Sequence, residues 1–219
     1  MAPVTRATIA AELILPPPYH AVRLREFGDA FAHAVTLAPQ RGAGTLVYVG
    51  RFDLAEFAVV LEPTDPLAKG RRVFYAGMAA LADAIAAAAP PETGAGNVPE
   101  WLVFGATIRT ASSTEADPGL TPDLTALDEE GFAEISSNSM IEGFARNLML
   151  LLSDWREGRF TAVRKSYFER LSRNDRQHWD IDDNGDLISR IANDKTERRA
   201  LQPRLEKPEW LDLLGKGNV

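Results

Sequence analysis

Three short apolar runs, each bounded by glycine or proline, constrain this chain most. Thr45-Leu46-Val47-Tyr48-Val49 lies between Gly44 and Gly50. Phe57-Ala58-Val59-Val60-Leu61 stops two residues before Pro63, and the run over 101–110 follows Pro99. Runs this short, rich in β-branched and aromatic residues, read as strands. The segments around them carry apolar residues at helical spacing. Residues 28–37 read as a helix that Asp29 caps and Pro39 ends. Residues 66–89 read as one long helix, because Val73, Gly77, Leu81 and Ile85 recur every four residues and Pro90-Pro91 stops the pattern. Two more helices are expected at 140–155 and 160–171, parted by Gly158; the first should bury Ile141, Phe144, Leu148 and Leu151 or Leu152. The alternation predicts an α/β (α+β) fold: a mixed β-sheet with helices packed against one face.

The chain changes character near its end. Asp183-Asn184-Gly185 separates Trp179-Asp180-Ile181 from Leu187-Ile188-Ser189-Arg190-Ile191. Asn-Gly between two such runs is a hairpin signal, since both residues tolerate positive φ. A third strand is expected over 198–205, giving a small C-terminal β unit. A meander of this size is too small to stand alone and must bury a face against something, with Trp179, Ile181, Leu187 and Ile191 available for it. The expected organisation is an N-terminal arm (1–22, including Pro16-Pro17-Pro18), a main domain (23–175), and a small C-terminal β domain and tail (176–219).

Composition narrows the function classes. A net charge of −7 argues against nucleic-acid binding and against attraction to an anionic membrane. No apolar window reaches 18 residues, no signal peptide opens the chain, and there are no cysteines, so a cytoplasmic protein without disulfides or thiolate chemistry is expected. The run Asp180-Ile181-Asp182-Asp183-Asn184-Gly185-Asp186 imitates a calcium loop. Its twelfth position is Ile191, where a bidentate carboxylate is needed, so a plain hairpin is expected. His20, His33 and His178 lack metal-ligand spacing, and no metal site is expected. There is no Gly-x-x-x-x-Gly-Lys-Ser/Thr loop and no Gly-x-Ser-x-Gly elbow. Lys69, Arg71 and Arg72 read as a solvated first helical turn.

The order of elements carries a resemblance. A helix, then Thr45-Leu46-Val47-Tyr48-Val49-Gly50-Arg51, then Phe57-Ala58-Val59-Val60-Leu61, then an alanine-rich helix is similar to the catalytic domain of the biotin/lipoate protein ligases, a class II synthetase-like fold. In that family a Gly-Arg-rich loop closes over an acyl-adenylate; Gly50-Arg51 matches its start, and the rest of the repeat is absent. Leu102-Val103-Phe104-Gly105-Ala106-Thr107-Ile108-Arg109 resembles a later family strand with the pattern Gly-x-Gly-Ile-Asn. Gly105 and Ile108 match, Thr107 replaces the second glycine, and Arg109 replaces the asparagine. The resemblance spans about 24–206, with a closing helix pair around Glu142-Gly143-Phe144 and Tyr167-Phe168-Glu169 and a terminal hairpin at Ile181–Leu187.

The resemblance implies ATP and biotin or lipoate as cofactors and a biotin- or lipoyl-carrier domain as partner. It places Gly50, Arg51, Gly105, Thr107 and Arg109 at the cofactor site, with Arg51 and Arg109 approaching one concavity. It also implies a Trp-Pro-Asn/Asp strand and a lysine-bearing strand between the long helix and the later strand. Only residues 90–99 fill that interval, and none of Lys69, Lys165, Lys195, Lys207 and Lys216 lies there, so a central segment is missing. Two readings follow: an acyl-adenylate-forming ligase, or a non-catalytic binding protein that keeps the fold and part of the site.

Overall fold

The computed structural model describes residues 13–25, 28–51, 53–80, 85–90, 93, 94, 96–111, 126–132, 135–170, 179–191, 195–201, 203 and 205. The first twelve residues, residues 112–125, His178, Lys207 and Lys216 lie outside them.

A five-stranded mixed sheet forms the centre, in the order β1-β2-β3-β5-β4. Its strands are β1 (His20–Leu24), β2 (Thr45–Val49), β3 (Leu54–Leu61), β4 (Ile85–Ala88) and β5 (Leu102–Arg109). β1 runs parallel to β2, and the other pairings are antiparallel. The three expected strands are therefore present. β1 was not expected: His20–Val22, placed in the arm by the sequence reading, pair with Thr45–Val47.

Helices cover both faces, not one. The strands explain why: β2 is buried along its whole length, and β3 over most of it. Val47, Val49, Ala58, Val60 and Val103 meet Ala30, Ala34 and Ala38 of α1 (Ala30–Arg41) on one face. On the other, Leu46, Phe57, Val59 and Phe104 meet Ile141, Phe144, Ala145 and Leu148 of α4 (Ser137–Arg156). The Phe144 ring stacks on Phe104 at 5.4 Å and lies 4.7 Å from Phe57. A strand apolar on both sides is stable only as the middle layer of three, each buried large side chain contributing roughly 1.5–3 kcal/mol.

The helix ends follow local chemistry. Asp29 caps α1, its carboxylate accepting from the Ala32 N–H. Pro39, however, stands inside the last turn, and the helix ends at Gly42, whose φ is 69°. Ser136 caps α4, and Gly158 separates it from α5 (Phe160–Arg170).

The expected long helix over 66–89 is not one element. It is a short α2 (Leu67–Gly70), α3 (Val73–Ala80), and then β4. Ile85, Ala86, Ala87 and Ala88 pair with Ala106, Gly105, Phe104 and Val103. Alanine's helix preference amounts to tenths of a kcal/mol per residue, whereas the outer edge of β5 offers a ladder of unmet backbone partners. Gly77 sits in the stripe for a steric reason. A Cβ there would lie 2.1 Å from the ring of Phe104, which is fully buried.

The C-terminal unit is an antiparallel meander of β6 (Trp179–Ile181), β7 (Leu187–Ile191) and β8 (Lys195–Arg199). It docks on the main domain. Gly185, at φ 82°, forms its turn. The buried Tyr75 hydroxyl donates to the Gly185 carbonyl at 2.6 Å, and Arg72 donates to the Asp182 carbonyl and to the Asp183 carboxylate. Arg72 is thus buried in this junction with its guanidinium over the Phe160 ring, not in a solvated first turn. The third strand ends at Arg199, short of 205, because the Leu201 N–H turns inward to Asp186 and Pro203 has no N–H for a ladder. Leu201 and Leu205 instead join Ile181, Tyr75 and Tyr167 in a buried cluster against which Leu187 packs. Trp179 is only half-buried, beneath Arg199.

Two substitutions test this packing. Tyr75→Phe removes the hydroxyl from the Gly185 carbonyl and should cost about 1 kcal/mol or slightly more in urea unfolding. Gly77→Ala should destabilise by about 1–3 kcal/mol despite its better helix propensity, because Phe104 has no room to yield. A stabilised Gly77→Ala protein would refute the close approach.

Candidate functional site

Register decides where the functional side chains gather. Leu24 pairs with Val49, and Leu54 pairs with Arg109. The end of β1, the end of β2, the start of β3 and the end of β5 therefore share one end of the sheet. Gly50, Arg51 and Asp53 belong to the connection between β2 and β3 at this end. The N-termini of α1 and α4 also reach it. The Ala30 N–H donates to the Glu56 carboxylate at 2.8 Å, and the Ser137 hydroxyl donates to the Arg51 carbonyl at 2.6 Å.

Arg51 grips Asp53 with two parallel bonds, Nε to Oδ1 at 3.0 Å and Nη2 to Oδ2 at 2.6 Å. Two-pronged pairing of this kind fixes the orientation of both groups. The Asp53 carbonyl in turn accepts from the Thr110 and Ala111 N–H groups. The connection is thus fastened to α4 on one side and to the end of β5 on the other. The Arg51 hydrogen bond holds the Asp53 carboxyl below its ordinary range, outweighing partial burial; Arg109 adds a smaller pull in the same direction. Glu56 behaves oppositely: burial pushes its carboxyl up, partly offset by the Ala30 N–H and by Arg51.

The five residues expected at the site divide. Arg51 binds Asp53, Arg109 immediately precedes the Thr110 N–H that meets the Asp53 carbonyl, and Gly50 precedes Arg51 in the same connection. Thr107 pairs across the strands with Glu56, half-buried, on the face that carries α1. Gly105 lies deeper on that face, where a Cβ would stand 2.7 Å from the Phe31 ring, so its described neighbour is α1. Asp53 and Glu56 were not picked out in the sequence. Asp53, two residues after Arg51, was the legible one; the partnership of Glu56 with α1 depends on tertiary contact.

No described lysine lies on the strands or connections that meet here: Lys69 is in α2, Lys165 in α5 and Lys195 in β8. Among the described residues no group of three His, Asp or Glu could hold a metal ion, and no helix is long and apolar enough to cross a membrane. A separate apolar cleft of about 410 Å³, counting space open to solvent, lies at the opposite end of the sheet. Leu61, Val73, Leu102, Leu152 and Trp155 line it, and it includes none of the five residues.

A carboxylate held below its ordinary range stabilises the fold above its unfolded pKa of about 3.9, and that stabilisation fades as pH falls through the folded value. Asp53→Asn should therefore be less stable than the parent at pH 7, with the difference narrowing below about pH 4. Urea unfolding at pH 7 and pH 3 measures this, and an equal difference at both would count against the pairing.

This chain resembles solved structures over most of its length. The solved structures it resembles include a biotin protein ligase-like protein of unknown function from Silicibacter sp. TM1040 (TM-score 0.69, 24% identity, covering 89% of this chain and 99% of that one). Biotin protein ligase from Aquifex aeolicus is similar at TM-score 0.57 and 10% identity, covering 81% and 94%. The same enzyme solved with biotin and ATP gives TM-score 0.51 at 10% identity, covering 82% and 98%. No curated protein sequence matches. The Biotin/lipoate A/B protein ligase family matches residues 15–96 and 92–169, two segments that meet in the glycine-bearing interval before β5 and together cover more than half of the chain. The chain belongs to the biotin/lipoate A/B protein ligase family.

Proposed function

We propose that this protein binds a biotin- or lipoate-type acid, or its adenylate, at the arginine-bearing end of the sheet, and that it holds this ligand without transferring it. The fastened Gly50–Asp53 connection carries this reading. A loop that closes over an adenylate must move to admit its substrates and exclude water. Here Arg51 is committed to Asp53, its carbonyl is held by Ser137, and the Asp53 carbonyl is held by the end of β5. What remains is a fixed edge at which Arg109, exposed at the end of β5, can meet phosphate or carboxylate oxygens. ATP and biotin bound to the similar Aquifex enzyme make the two ligands the natural probes.

The second reading is a working ligase that activates the acid with ATP and passes it to a lysine on a carrier domain. Arg51 and Arg109 at one end of the sheet favour it, since developing phosphate charge needs fixed cations.

Calorimetry with biotin, lipoate and ATP, followed by transfer to a biotin- or lipoyl-carrier domain, separates the readings. Binding without transfer is expected. Transfer would establish the ligase, and no binding of any of the three would overturn both. Arg109→Gln should weaken binding about tenfold while leaving the melting temperature nearly unchanged, because Arg109 is exposed.

A further inference from the structure

The apolar cleft at the far end of the sheet has charges of both signs at its rim. It opens where the end of β3, the start of β5 and the last turn of α4 meet. Leu61, Val73 and Leu102 form a buried floor, and the half-buried Leu152 and Trp155 form a wall. Gly70 leaves room beside that floor, since a Cβ there would lie 3.2 Å from Cδ1 of Leu102. Glu62 and Asp65 stand on the connection that follows β3, and Arg156 ends α4. Among the described residues, no hydrogen bond or ion pair takes up these three side chains. Arg156 has the half-buried Tyr19 hydroxyl as an electrostatic neighbour. Burial pushes that hydroxyl up to about 12, Arg156 offsetting it only in part, so Tyr19 stays neutral and does not compensate the arginine.

We propose that this cleft binds a free α-amino acid with an apolar side chain, at a site separate from the arginine-bearing end. Such a ligand carries an ammonium, a carboxylate and an apolar body, and the lining has a partner for each. The ammonium meets Glu62 and Asp65, and the carboxylate lies in the planar fork of Arg156. The side chain covers Leu61 and Leu102, which removes apolar surface from water on both partners. An aromatic side chain gains further from the ring of Trp155. A simple acid would satisfy Arg156 yet leave two carboxylates unanswered beside its own charge. A simple amine would leave Arg156 unanswered. Only a zwitterion meets both signs at once, and opposed charges of this kind discriminate against the single-charge competitors. The inference does not rest on the ligand-binding reading above, because the cleft shares no residue with the site of that reading.

Nuclear magnetic resonance titration of the full chain, following the Trp155 indole signal, tests this with L-phenylalanine and its single-charge relatives phenethylamine and hydrocinnamate. Phenylalanine should bind with a Kd on the order of 1 mM, an ordinary strength for so small a ligand, and each relative about tenfold more weakly. Arg156→Gln should weaken phenylalanine and hydrocinnamate about tenfold and phenethylamine not at all. Glu62→Gln/Asp65→Asn should weaken phenylalanine and phenethylamine and spare hydrocinnamate. These side chains are exposed or half-buried, so the charge variants should melt with the parent. Leu152→Trp, which fills the cleft, should abolish binding of all three; if it fails to fold, the charge variants decide. Arg109→Gln, and saturating ATP or biotin, should leave phenylalanine affinity unchanged. No saturable binding of phenylalanine would overturn the inference, as would a single-charge relative that binds equally tightly or parental affinity in Arg156→Gln. Competition by ATP or biotin, or weakened phenylalanine in Arg109→Gln, would move the ligand to the other end of the sheet and overturn it as well. A protein that binds phenylalanine but none of ATP, biotin and lipoate would uphold the cleft and overturn the reading of the arginine-bearing end.

Discussion

The antiparallel pairing of β3 with β5 is the interaction on which the rest of the molecule depends. Eight residues on each strand are matched, from Leu54 opposite Arg109 to Leu61 opposite Leu102. The pairing fixes alternation on both strands at once. Phe57, Val59 and Phe104 are committed to the α4 face, and Ala58, Val60 and Val103 to the α1 face. A slip of one residue would exchange the two faces and move Arg109 away from Asp53. The same ladder therefore sets the core and the composition of the arginine-bearing end.

The central strands were readable because their apolar runs are bounded by glycine and proline and are short. α4 and α5 were readable because their stripes are long and Gly158 divides them. Two errors share a cause. Ile85–Ala88 and the segment after Arg199 have local sequences that fit more than one element, and a neighbour chose between them. For Ile85–Ala88 the neighbour is the free side of β5. For Leu201 and Leu205 it is the apolar pocket beside Tyr75 and Tyr167. β1 escaped notice because only Val22 and Leu24 of its five side chains are even half-buried, which leaves little alternation to read.

The site was legible in part. Arg51 and Arg109 stand out as cations after apolar strands. Nothing in the sequence says that Asp53 will occupy Arg51 or that Ser137 will hold the carbonyl of a residue 86 positions away. Each depends on register or on the approach of a distant helix. They also change the chemistry: an arginine already engaged by a carboxylate is a fixture, held in one orientation.

β4 carries a consequence of another kind. Among the described residues it is an edge strand, paired on one side to β5. An edge can gain or shed a strand while every central register stays as it was, which is not true of any position inside a sheet. The two family-matched segments of this chain meet beside this strand, before β5. The architecture thus has a margin where chain length can vary and a whole strand can be exchanged without the core having to be rebuilt.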